Sequence, residues 1–379
     1  MRRYSLLAHT TGRSLLLAAL LTLSACGNSS DDGESGTFLA VTYNVAGLPL
    51  PGVITGEDPA ANAPLISPLL NTYDLVLLQE DWGDPLAFLE EAGVVPAGTQ
   101  PGILGFHHLV VAEADHPYRS EPAPFPLLDL GLRRGLDGVL GPTLLGDGLN
   151  RLSRSPFGPL ERIMWRQCNG SILVTPLEEL LDVLLDNVPG LDSLLAPLNL
   201  TGDEGLIDDG STDCAALKGF SVATHEMAPG VFVDVYNLHG DAGGNDRDID
   251  VRVDNFEQLA DFLLTHSEGR AVVLGGDTNL SFESDRRPRQ RDTDGSTWAR
   301  FQARTGLVDV CAVLACGDQD ELRAQGFKNI DRFAYRSGGG VELRPLDHRF
   351  ERERFTREDG EQMSDHDPVV VTFQWRRLP

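Results

Sequence analysis

Five short segments of this chain carry the side chains that hydrolysis at phosphorus uses. Asn44, Glu80, His239, the pair Asp277 and Asn279, and the pair Asp365 and His366 each fall at the C-terminal limit of an apolar run or just ahead of one. One polar residue in such a place is ordinarily a satisfied hydrogen bond in a loop. Five segments with these residue types describe a chemistry instead. Carboxylates hold a divalent cation, amides and imidazoles neutralise charge on phosphoryl oxygens, and an imidazole takes a proton from water.

The elements that must position these residues are short β-branched or aromatic runs bounded by turn residues, which predict strands at 38–45, 75–80, 231–239, 271–277 and 368–375. Several are apolar nearly throughout, as expected for strands buried on both faces. Between them, Val253, Phe256, Leu259, Ala260 and Leu263 recur near helical spacing and predict a helix over 251–266. The mixture predicts a layered α/β protein of two packed sheets with helices outside. Two stretches break the rhythm: 125–149 is rich in Leu, Gly and Pro, and 177–200 reads as a Leu-rich amphipathic helix broken at Pro189–Gly190. They are expected as insertions near 119–148 and 168–214, packed on the core or forming an apolar lip beside the site.

The spelling of the segments carries a resemblance. Thr42-Tyr43-Asn44-Val45, Leu78-Gln79-Glu80, Asn237-Leu238-His239, Gly276-Asp277-Thr278-Asn279, Ile330-Asp331-Arg332-Phe333 and Ser364-Asp365-His366-Asp367-Pro368-Val369 occur in the order of the endonuclease/exonuclease/phosphatase superfamily. Covering roughly 38–375, the resemblance implies a DNase I-like four-layer α/β sandwich, two packed mixed β-sheets flanked by helices. It also implies roles. Glu80 resembles the metal-binding Glu, Asn44 its supporting Asn and Asp365 a second metal-side carboxylate. Asp277 and Asn279 resemble the pair that contacts the nucleophile and the phosphoryl oxygens. His366 resembles the general base, oriented by Asp331, for which Asp347–His348 is a rival. His239 resembles the histidine that stabilises the phosphoryl group or protonates the leaving group. Where some relatives carry an Asp two residues after the first Asn, this chain has Ala46. Sparse protein ligation with water completing the shell suits Mg²⁺, with Mn²⁺ or Ca²⁺ as alternatives. An imidazole base predicts activity falling below a pH near the ordinary histidine value, about 6.5.

Two further elements resemble the sphingomyelinase-like branch: Lys218-Gly219-Phe220, and a Ser-Arg-x-Pro strand at Ser153–Pro156. They imply a phosphodiesterase acting on a phospholipid head group, with Lys218 as a substrate-binding residue; Arg287 is the second substrate-binding residue expected. His239 departs from that branch in being followed by Gly240-Asp241-Ala242-Gly243. The alternative is an extracellular nuclease with nucleic acid as substrate, for which Arg286, Arg287, Arg289 and Arg291 supply a basic cluster. A phosphomonoesterase or a catalytically silent surface-binding protein stands further off.

Composition bounds these readings. A chain of 379 residues with a formal net charge of −26 repels polyanions at long range, which argues against indiscriminate nucleic-acid binding. No repeat is visible, which makes a solenoid or propeller improbable. Arg2, Arg3 and Arg13 lead into a short apolar run from Ser14 to Leu23, the pattern of a secretory signal. Leu23-Ser24-Ala25-Cys26 resembles the lipobox of bacterial lipoproteins. It implies a signal peptide at 1–25, an acylated Cys26, a flexible linker over 26–36 and a single domain at 37–379, anchored to the outer membrane or cell surface. The remaining Cys168, Cys214, Cys311 and Cys316 suggest two disulfides among three connectivities, favouring Cys168–Cys214 and Cys311–Cys316, because each pair brackets one local segment. A monomer is expected.

Overall fold

Side chains two apart along a strand share a face, and the central strands of this chain are apolar on both faces. The computed structural model describes residues 33–47, 58–84, 105–123, 132–134, 140–142, 146–169, 218–282, 293–317 and 319–379. Its strands are β1 (Ser35–Asn44), β2 (Leu75–Gln79), β3 (Tyr118–Arg119), β4 (Leu132–Arg134), β5 (Leu140–Pro142), β6 (Asn150–Ser153), β7 (Glu161–Met164), β8 (Gly219–Ala228), β9 (Val231–His239), β10 (Val272–Asp277), β11 (Val308–Asp309), β12 (Asp331–Arg336), β13 (Val341–Phe350) and β14 (Val369–Arg377).

Twelve of them form two mixed sheets, in the orders β13-β14-β1-β2-β6-β3 and β11-β12-β10-β9-β8-β7. Each sheet has one parallel pair at its centre, β1 with β2 and β9 with β10, and antiparallel neighbours on either side. Phe38, Ala40, Leu75 and Leu77 from one sheet meet Val233, Val235, Val273 and Phe333 from the other. The opposite faces are covered by helices. Val41, Tyr43, Val76 and Leu78 bury against Ala63 and Ile66 of the helix Pro59–Leu69. Tyr236, Leu238, Val272 and Leu274 bury against Phe256, Leu259 and Leu263 of the helix Asp246–His266 and Trp298 and Phe301 of Asp294–Thr305. The four layers are those expected, and the described residues from Glu34 to Pro379 form one compact unit. Gly275 serves the sheet interface directly, since a Cβ there would lie 2.6 Å from Phe333 and 2.8 Å from Leu77.

The structure differs from expectation in two elements. The helix predicted from Val251 begins at Asp246, where Asn245 and Asp248 form a reciprocal capping box. Its first turn is polar, so apolar periodicity starts only after the helix does. The strand β13 was not anticipated, because its solvent-facing positions alternate with its buried ones and it carries Pro345 beside a register shift, as sheet edges do. Cys311 and Cys316 form the expected disulfide across 4.9 Å between Cα atoms. Cys168 is disulfide-bonded too, while Cys214 lies outside the described residues. So do the expected leader, Cys26, the helix at 177–200 and all four arginines at 286–291. Of the insertion near 119–148, β4 and β5 form a separate two-stranded sheet. Among the described residues no helix is long and apolar enough to cross a membrane.

Candidate active site

The space between the sheets changes character along the strands. On the inner face β1 runs Phe38, Ala40, Thr42, Asn44; β2 runs Leu75, Leu77, Gln79; β9 runs Val233, Val235, Asn237, His239; and β10 ends Val273, Gly275, Asp277. The apolar half carries the stability: burying a Leu or Val contributes about 1.5–3 kcal/mol, against about 0.5–1.5 kcal/mol net for a buried hydrogen bond. The polar half fixes positions. Gln79 Nε2 donates to Asn237 Oδ1 at 2.6 Å and to Thr42 Oγ1 at 3.0 Å. Asn237 Nδ2 donates to the carbonyls of Leu78 and Asn150 at 2.9 and 3.0 Å, which ties the two sheets together.

Topology then collects the site at this edge. The parallel pairs end here, and their antiparallel neighbours begin here. Asp277 therefore lies in register with His239 on one side and with Asp331, the first residue of β12, on the other. His366 precedes β14, the antiparallel neighbour of β1. Three residues at the rim, Ala46 (φ 47°), Glu80 (φ 54°) and Asn279 (φ 52°), adopt left-handed backbone that non-glycine residues take only under constraint.

Asn44 Nδ2 donates to Glu80 Oε1 at 3.0 Å and to Asp277 Oδ2 at 3.1 Å, and lies 3.4 Å from His366 Nε2. Its Oδ1 accepts from the backbone N–H of Ala46 at 3.0 Å, so the position that lacks a carboxylate orients Asn44 through the main chain. Asn279 donates to Asp277 through its backbone at 2.9 Å and through its amide at 3.3 Å. His366 Nδ1 stands 2.8 Å from Asp331 Oδ2, and His366 Nε2 is 3.7 Å from Asp277 Oδ2. His239 Nε2 is 3.4 Å from Asp277 Oδ2 and 3.9 Å from Glu80 Oε1.

Charge is unevenly served. Glu80 Oε2 and Asp331 Oδ1 are buried with no hydrogen-bond partner among the described residues. Burial raises the Glu80 carboxyl above its ordinary value, against the Lys218 charge and the Asn44 bond. An acid oxygen left without a donor beside a carboxamide is a fit for a hard divalent cation; Asp277, Asp331 and His366 also lie close enough together to share one. Burial, together with the Lys218 charge, depresses His239 well below the ordinary imidazole value, so it is neutral at pH 7. For His366 burial alone would lower the value, but Asp331 and Asp277 outweigh it and raise it to about 10. The unperturbed value near 6.5 therefore does not apply to His366, because two carboxylates on one imidazole hold its proton.

The predicted residues converge except at the periphery. Asp365 is partly exposed and its Oδ2 is bonded to Lys328 Nζ at 2.9 Å, while Oδ1 is 3.9 Å from His366 Nε2. Its charge also acts on the Glu80 carboxyl, which it helps to raise. Lys218 is buried and its charge acts on Glu80, His239 and Asp277. The rival orienting pair is elsewhere: Asp347 bonds Arg349 at 2.8 Å and His348 lies 3.5 Å from Cys311 Sγ. Sequence reasoning missed Thr42, Gln79 and Asn237, although each continues the same two-residue alternation that ends in a site residue.

No family model matches the chain. It is 27% identical over 354 residues to a sphingomyelinase of Mycobacterium tuberculosis, a span of 92% of this chain and 55% of that protein. The chain thus spans about half the length of the curated relatives it matches. Among solved structures, sphingomyelinase C from Streptomyces griseocarneus is 15% identical with a TM-score of 0.47, covering 89% of this chain and 99% of its own. An endonuclease/exonuclease/phosphatase protein from Beutenbergia cavernae is 16% identical with a TM-score of 0.48, covering 90% and 72%. At those scores the architecture rests on the strand order and layering of the chain itself.

Proposed function

We propose that this chain, a distant relative of mycobacterial sphingomyelinases, is a divalent-cation-dependent phosphodiesterase that cleaves the head group of a phospholipid, with water as nucleophile. The observation that carries it is the meeting of an unpartnered Glu80 oxygen, the Asp277–Asn279 pair, a neutral His239 and the Asp331–His366 dyad at one sheet edge. Glu80, supported by Asn44, would hold the cation, and Mg²⁺ suits such sparse oxygen ligation. When bound, it supplies charge neutralisation at the phosphoryl oxygens.

The chain's own residues do the rest. Asp277 Oδ2 faces Asn44, Asn279, His239 and His366, so it is the acceptor that aims the attacking water. His366 takes the proton at Nε2 while Asp331 holds Nδ1, and the acids that raise its affinity for a proton stabilise the imidazolium that forms. His239, uncharged and buried, serves as a hydrogen-bond donor to a phosphoryl oxygen. Lys218 adds positive charge behind the phosphate. The lipobox-like Leu23–Cys26 supports an acylated anchor that keeps the enzyme on a membrane surface.

The test is hydrolysis of sphingomyelin vesicles and of plasmid DNA by the purified full chain with Mg²⁺, beside the chelated protein and His366→Ala. Lipid cleavage lost in both controls is expected. Cleavage of DNA alone would overturn the lipid reading in favour of a nuclease.

A further inference from the structure

Glu80 is one of three non-glycine residues at the site's rim in left-handed backbone, at φ 54° one step beyond the end of β2. Something must over-determine it. Upstream, Gln79 is fixed by Thr42 and Asn237, and its carbonyl accepts from Val45 N at 3.0 Å. Downstream, the residue that follows is more heavily tied. Asp81 is fully buried and lies 2.7 Å from His107 Nδ1 through Oδ2. Asn150 Nδ2 donates to the same Oδ2 at 3.0 Å and to the Asp81 carbonyl at 2.7 Å. The Asp81 N–H donates to Gly148 O at 3.1 Å, and the His107 N–H donates to Trp82 O at 3.1 Å. Asn150 is itself held by Ser120 and Arg162 through Oδ1 and by Asn237 through its carbonyl.

A buried carboxylate beside an imidazole is not needed to hold a strand end, and neither side chain reaches the reacting groups. We propose that Asp81 and His107, locked through Asn150, are positioning residues that hold Glu80 in its left-handed conformation with Oε2 presented to the cation. This rests on the reading of Glu80 as the cation ligand. Releasing either partner lets the Asp81 peptide rotate, and Glu80 then relaxes towards ordinary backbone with its carboxylate displaced. Groups that orient a metal ligand from behind ordinarily alter affinity by about 10–100-fold.

The experiment is calorimetric titration of Mg²⁺ into the purified full chain, its Glu80→Gln control, and the variants His107→Gln and Asp81→Asn, with thermal unfolding recorded on the cation-free proteins. His107 is the milder site, since its side chain is 12% exposed where Asp81 is 0%. Folded His107→Gln is expected to bind Mg²⁺ about tenfold more weakly, with a loss of hydrolysis that raised Mg²⁺ reverses. A purely structural role would lower the unfolding temperature and leave Mg²⁺ affinity unchanged, which would overturn the proposal. If binding disappears in Glu80→Gln yet is unaltered in both pair variants, the pair's role alone fails. If wild type and Glu80→Gln behave alike towards Mg²⁺, the reading of Glu80 fails, and the pair's role with it.

Discussion

Asp277 and Asp331 face one another in register across β10 and β12, yet His366 takes its hydrogen-bonding carboxylate from Asp331, at 2.8 Å, and stands 3.7 Å from Asp277. Asp331 is raised to about 6, chiefly by burial, while the two histidines beside Asp277, together with Lys218, lower its carboxyl despite burial. Adjacent strand positions therefore hold an anchor for the imidazole and an ionised carboxylate, which on the proposed function is the acceptor for the water.

Removing the proton acceptor tests that division. His366→Ala is expected to lower kcat on a phosphodiester by about 10²–10⁴ with an unchanged circular dichroism spectrum. Asp331→Asn should fall in the same direction, because the amide no longer fixes the Nδ1 proton. Near-normal turnover by His366→Ala sinks the assignment.

The titration of His366 carries a sign that can be checked by NMR of the imidazole ring. In the cation-free chain it is raised to about 10 by Asp331 and Asp277, so it stays protonated through neutral pH. Positive charge beside Glu80 opposes that, so saturating Mg²⁺ should move the midpoint downward. The acid limb of kcat should shift to lower pH as Mg²⁺ rises. A ring that titrates identically with and without Mg²⁺ would contradict the proximity of cation and base.

Glu80→Gln removes a carboxylate that burial disfavours. A carboxyl raised in the folded chain destabilises the fold above its unfolded value, so the cation-free variant should unfold at the same temperature as wild type or higher. Mg²⁺ should stabilise the wild type alone, and hydrolysis should be lost. Equal Mg²⁺-induced shifts in calorimetric scans of the two proteins would place the cation elsewhere.

His225 lies between the sheets, 3.4 Å from the guanidinium of the buried Arg151 and 3.3 Å from Ser153 Oγ. Burial first, and Arg151 second, lower it well below 6.5. The unfolded chain then binds a proton that the folded one refuses. The stability this gives is complete above about pH 6.5 and is lost as pH falls towards the folded value, at up to about 1.4 kcal/mol per pH unit. Urea midpoints measured from pH 8 to pH 5 should fall less steeply in His225→Gln than in wild type. Parallel slopes would remove His225 from the acid response.

Asn237→Ala leaves Gln79 and the carbonyls of Leu78 and Asn150 short of partners within the sheet interface. An unsatisfied buried group costs about 1–3 kcal/mol, so denaturant unfolding should show a loss of that order. A neutral effect would mean that water replaces the amide.

The site was readable in sequence where chemistry coincides with a strand end. Asn44, Glu80, His239 and Asp277 each follow an apolar run, and a buried strand must change character where it leaves the core. Asp331 was readable only through resemblance, and so was its partnership with His366, which joins positions 35 apart. Thr42, Gln79 and Asn237 look like ordinary polar interruptions until the sheets are stacked. Nothing local in the sequence reveals that Lys328 pairs with Asp365, since the two are 37 positions apart. β13 escaped because an edge strand with one wet face lacks the apolar continuity that marked the others.

The hydrogen bond from Asn44 to Asp277 and the approach of Asn44 to His366 join residues 233 and 322 positions apart. The two halves of the site meet only when both sheets have docked, and pairings of such separation form slowly. Catalytic competence is therefore a late event in the life of each molecule. On the proposed function, a nascent or half-assembled chain would have no means of attacking a phosphodiester, and recovered activity on refolding would be a direct clock for the closing of the sandwich.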